Sequence, residues 1–176
     1  MSVFVYWAFT FESSKTVRNS FSPTPTFTPE RQATWDSLIP GKSSKNNVVE
    51  KLGAPVEESD SEGVTKVLYR SKSPTRNHEA HYINNVLTLL KRVVTLKEET
   101  KPSTIEREYG IAPTTLYGPD SNSGINLYAY PEYGIAYLGN PVDNTVMEVW
   151  YFPATTEDDF IQSYAKGYFK TPQPQF

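Results

Sequence analysis

At 176 residues, with 38% hydrophobic and 21% charged side chains, the chain has the composition of one soluble domain large enough to fold without staples. Its formal net charge of −3 argues against nucleic acid, which rewards clustered Lys and Arg. The absence of Cys removes disulfides, thiol nucleophiles, Cys-ligated zinc and a Cys-linked lipid anchor.

In chain order, Val3–Phe11 is apolar but far shorter than the ~20 residues that span a bilayer. Residues 1–19 are expected to be either the remaining end of a signal or membrane anchor or an N-terminal strand. Residues 20–34 carry Pro23, Pro25 and Pro29 among Thr, which favours an extended linker. A single α+β domain is expected over 35–170, with a loose tail at 171–176.

The spacing predicts a helix from about Ser44 to Leu52, with Ser43 or Ser44 as cap, an apolar face of Val48, Val49 and Leu52, and a stop at Gly53 and Pro55. A charged loop is expected at 57–63. Strands follow over 65–71, 79–83 and 86–96, with Asn84-Asn85 as a tight turn and a bulge or two-sided burial at Val93 and Val94. A second helix, with Ser103 and Glu106 as a capping box, stops at Gly110. Strands are then expected over 125–130, 134–138 and 145–152. The acidic run Glu157-Asp158-Asp159 after Thr156 marks another helix start, packing through Phe160, Ile161 and Tyr164. The order predicts an antiparallel sheet with short helices packed on one face, from two tandem helix–three-strand repeats over 38–98 and 101–153.

Ile39 to Pro55, with Gly41, Val48, Leu52, Gly53 and Pro55 at these intervals, resembles the opening motif of the SmpA/OmlA (BamE-like) family. The helix-plus-strands layout is similar to the tandem β-lactamase inhibitory protein (BLIP-like) fold. The resemblance implies a bacterial extracytoplasmic binding protein without catalysis. BamE-like proteins carry an N-terminal lipidated Cys that this chain lacks, so no partner-binding residue is carried over.

Few constellations could carry chemistry. His78 and His81 stand three apart, not the four that place two imidazoles on one helix face, so exposed His and no metal or cofactor are expected. Glu132 and Glu148, flanking aromatics, are the best guess at a hydrolytic carboxylate pair. The most suggestive feature is the cluster Tyr128, Tyr130, Tyr133, Tyr137, Trp150 and Tyr151. An exposed row would dock a protein or stack on sugar rings; covered by helices, the same rings complete the core. The leading expectation is a non-catalytic, extracytoplasmic protein-binding or envelope-scaffolding module acting through Tyr128, Tyr130, Tyr133, Tyr137 and Trp150. A carbohydrate or cell-wall glycan module is the alternative, and a hydrolase stands third.

Overall fold

A computed structural model describes residues 31–98 and 100–172. The expected anchor and residues 20–30 of the expected linker lie outside them. Helix α1 (Lys45–Leu52) is followed by β1 (Pro55–Ser61), β2 (Val64–Tyr69), β3 (His78–Ile83) and β4 (Val86–Val93). Helix α2 (Pro102–Tyr109) precedes β5 (Thr114–Leu116), β6 (Asn126–Tyr130), β7 (Ile135–Asn140) and β8 (Thr145–Tyr151), and α3 (Glu157–Ser163) closes the order.

The eight strands form one antiparallel sheet in the order β1-β2-β3-β4-β8-β7-β6-β5. This corrects the expected α+β layout of two tandem helix–three-strand repeats. The chain is a β-rich layer whose halves merge through β4 and β8, where Leu90, Lys91, Arg92 and Val93 pair with Tyr151, Trp150, Val149 and Glu148.

Helices on one face is the second correction, because both faces are covered. Alternation along the strands sends Val67, Tyr69, Ala80, Tyr82, Leu90, Tyr130, Ile135, Tyr137, Val149 and Tyr151 into a core with Val48 of α1 and Ile105 of α2. The intervening residues Leu89, Leu127, Ala129, Ala136, Leu138 and Trp150 form a second core with Phe160 of α3, Ala165 and the partly buried Tyr164 and Tyr168. Each large side chain so buried contributes about 1.5–3 kcal/mol of transfer free energy. Among the described residues no helix is long and apolar enough to cross a membrane.

The local grammar explains most boundaries. Ser44 caps α1 and exchanges a capping box with Asn47, and Gly53 ends the helix at φ 84°. Asn84 and Asn85 both take positive φ, at 49° and 64°, as the tight turn between β3 and β4 requires. Helix α2 starts two residues earlier than a Ser103 cap implies, with Pro102 in its first turn and no side-chain cap, while Ser103 reaches Asn144 Oδ1 at 3.4 Å. The segment 57–63 is strand β1 and its turn rather than a loop. All seven β1 residues are exposed, so it lacks apolar alternation, and Glu57, Glu58 and Asp60 blunt its free edge.

The first described residues, expected as linker, are already bonded into the sheet domain. Ala33 N–H donates to Tyr133 O at 2.7 Å, and the Gln32 amide bridges Phe152 O and Ala154 N, each at 2.7 Å. This closure needs Gly134, at φ 67°, where a Cβ would lie 2.2 Å from Phe152 O. Gly134→Ala is expected to cost about 2–4 kcal/mol in urea unfolding. Gly53→Ala, with open space around it but at φ 84° and ψ −167°, a conformation essentially restricted to glycine, should cost about 1–3 kcal/mol from backbone strain alone.

Candidate functional site

The aromatic row proves to be mostly core. Tyr137, Tyr130 and Trp150 are 0%, 1% and 3% exposed, and Tyr151 is buried as well, because each sheet face already has its cover. Tyr130 donates from its hydroxyl to Gly110 O at 2.9 Å, tying the end of α2 to the sheet. Burial, then nearby Glu106, pushes that hydroxyl up to about 12. Only Tyr128, stacked on Tyr137 at 4.9 Å, and Tyr133, beside Tyr109, are partly exposed. The five residues are therefore not one open docking face.

The two His point to opposite faces of β3. His81 joins Lys66 and Lys91 around Glu79 on the second face, with contacts of 2.8, 2.6 and 3.1 Å. Burial pushes the Glu79 carboxyl up, but hydrogen bonds from His81, Lys66 and Lys91 outweigh it and hold the group well below the usual carboxylate range. Lys91 also lies over the Trp150 ring, 4.5 Å from its centroid. Trp150 donates to Glu148, which Arg76 also engages. Glu148 is thus committed to structural partners, and Glu132 is exposed on the turn at 131–133. No cluster of three or more His, Asp or Glu poised for a metal occurs among the described residues.

His78 faces the first core and is only 8% exposed, contrary to the expected surface position. Its Nδ1 accepts the Val93 N–H at 3.0 Å, which leaves Nε2 as the ring's donor. Burial first, and Arg92 second, hold its pKa below the ordinary value.

Around His78 opens a cleft of about 560 Å³, lined by Trp35, Lys51, Leu52, Arg70, Ser71, Lys72, Arg92 and Glu98. Trp35 heads a tight turn in which Asp36 and Ser37 both take positive φ and Leu38 N–H donates to Trp35 O at 2.9 Å. Its ring packs 5.5 Å from His78, with the Arg92 guanidinium 5.3 Å above it. The loop after β2 is held by serines: Ser71 Oγ donates to Arg76 O at 2.5 Å and accepts from Ser73 N–H at 2.9 Å.

Charge in this cleft is unbalanced. Arg92 neutralises Glu98, and Lys51 reaches Asp36 at 3.3 Å. Arg70 and Lys72, both exposed, have no carboxylate partner among the described residues. The result is a cationic recess with an aromatic wall and a neutral imidazole donor. Sequence reasoning missed it because its residues come from six separate segments; the surplus of +2 over residues 1–100 was its only trace.

No protein-family model matches the chain, and no curated protein matches it. Its likeness is to solved structures. One is a DUF4309 family protein from Bacillus subtilis, at 16% identity over 66% of this chain and 82% of that one, with a TM-score of 0.47. A second is a cysteine-rich secretory protein from Staphylococcus aureus, at 9% identity over 84% of this chain and 55% of that one, with a TM-score of 0.50. A third is an extracellular protein containing a SCP domain from Bacillus anthracis, at 12% identity over 84% and 56%, with a TM-score of 0.45. The chain spans only about half the length of the last two.

At these identities the likeness is one of fold. It also overturns the resemblance to SmpA/OmlA, BamE-like and BLIP-like proteins, none of which is among these neighbours. The residues that suggested it, Ile39 to Pro55, do form a capped helix stopped by Gly53. Any short helix closed by Gly and Pro shows the same spacing, so it specifies an element and not a family.

The depressed His78 pKa has a signed consequence. The unfolded chain takes up a proton near pH 6.5, whereas the folded chain resists it. The stability this contributes is complete above pH 6.5 and is lost as pH falls through the lower folded value. Urea midpoints should therefore drop between pH 7.5 and 5.5, and His78→Gln should flatten that dependence.

Proposed function

We propose that the chain is a non-catalytic, extracytoplasmic binding module that holds an anionic ligand in the cleft between Trp35, His78 and Arg92. The observation that carries this is the pair of unpartnered cations, Arg70 and Lys72, at a recess already furnished with a ring and an imidazole donor. Surface cations more than a Debye length apart are screened, but neighbouring ones at a concave, partly apolar wall attract an anion jointly. The description of the S. aureus neighbour as a secretory protein supports placement outside the cytoplasm. Membrane anchoring belongs to residues outside the described body and stays part of the proposal.

Docking of a protein or glycan on the aromatic sheet face loses its surface, because Tyr130, Tyr137 and Trp150 are core. The cleft takes its place. An anion held by Arg70 and Lys72 would share the cleft with the half-buried Trp35, whose indole would sense its arrival.

Trp35 and Trp150 provide an internal control, since Trp150 is buried and its indole N–H is already bonded to Glu148. In two-dimensional NMR of the full chain, inorganic phosphate should shift the Trp35 indole resonance and leave that of Trp150 in place. Arg70→Gln/Lys72→Gln should weaken the response at least tenfold. An absent Trp35 response at tens of millimolar phosphate, or an equal one in the double variant, would remove the basis of the reading.

A further inference from the structure

Beside the cationic recess lies a larger cavity of about 870 Å³ with a different character. Its apolar lining comes from the seam of the sheet: Val93 and Val94 at the end of β4, and Val146 and Met147 at the start of β8. Val94 N–H donates to Met147 O at 2.9 Å, which holds the two strand ends together beneath the opening. Leu96, 95% exposed, and Pro74 stand at its sides. Three cations, Lys72, Arg76 and Lys97, also line it, with Glu98 as the single acid. Glu98 is neutralised by Arg92, and Arg76 is occupied by Glu148. Lys72 and Glu98 line both this cavity and the Trp35 recess, so the two are neighbours across those side chains.

We infer that the two cavities together take one amphipathic anion, its charged head in the recess at Arg70 and Lys72 and its alkyl chain over Val93, Val94 and Met147. The inference rests on the anion-binding reading above and names the class of that ligand. A wholly polar anion would leave the apolar cavity wet, and a neutral alkane would leave the cations unmatched. Only a molecule with both parts complements both walls. The volume is in the range that encloses a small organic ligand rather than a protein segment.

The test is a homologous series of ethyl, butyl, hexyl and octyl phosphate, each below its micellar concentration, titrated calorimetrically into the full-length chain. Affinity should rise about threefold to fourfold per methylene and then level off once the cavity is filled. Lys72→Gln should weaken every member by a similar factor. Leu96→Ser with Met147→Gln, which adds no charge, should flatten the chain-length dependence while leaving ethyl phosphate nearly unaffected, and the ethyl phosphate response also reports that these variants are folded. Octyl glucoside, which has a chain and no charge, should bind at least tenfold more weakly than octyl phosphate. An affinity independent of chain length overturns the amphipathic ligand while the anion site stands. Failure of every phosphate, ethyl and inorganic included, overturns both. Cosedimentation with phosphatidylglycerol vesicles without saturable binding of the monomers also overturns the inference, since it assigns the charge to a lipid surface.

Discussion

Four residue pairs between β4 and β8 hold the rest of the structure in place. Leu90–Tyr151 and Arg92–Val149 face the α1 and α2 side, whereas Lys91–Trp150 and Val93–Glu148 face the other. The same short ladder therefore joins both cores at once. Without it α1 and α2 would cover separate half-sheets, and the second core would lose Leu89 from its edge. Both candidate cavities also lie at the lower end of this ladder, where Arg92, Val93 and Val94 leave β4 and Met147 enters β8. Position and fold thus share one cause.

Burial from two sides explains the unusual supply of Tyr. Tyr69 and Tyr82 sit fully inside, yet their hydroxyls meet at 2.9 Å, so neither polar tip is orphaned. Tyr130 reaches a helix carbonyl instead. A ring gives the area of a large apolar side chain, and the hydroxyl pins a neighbouring element. The Tyr side chains of the sheet thus belong mainly to its packed core, not to a docking face.

The sequence was readable where a local rule decides the outcome. Ser44, Gly53 and the Asn84-Asn85 turn each act through their own backbone, and hydrophobic runs located β2, β4, β6 and β8 to within a few residues. Strand β1 escaped because an exposed edge needs no alternation, and β5 because three residues leave no pattern. The one-sided sheet was the costlier error. Alternation shows which residues share a face, but not whether that face is covered, and the expected helix after Thr156 carried no sign that it would lie, with Tyr168, over Trp150 and Leu138 rather than on the side of α1 and α2. The basic recess was illegible for the same reason, since Trp35, Lys51, Arg70, Lys72 and Arg92 become neighbours only once the strands are laid side by side.

The seam also orders events in time. Every other neighbouring pair of strands is joined by a hairpin connection or a short loop, and such contacts form early because little chain must be closed. The β4–β8 pairing waits for all of α2 and β5 through β7 to be threaded between. Until then β4 and β8 each present an unpaired row of amides and carbonyls with Leu90 and Tyr151 uncovered. The β8 of a second chain fits that waiting β4 as well as its own does. At high concentration during refolding, exchange of half-sheets between two molecules is the natural competitor of the monomer.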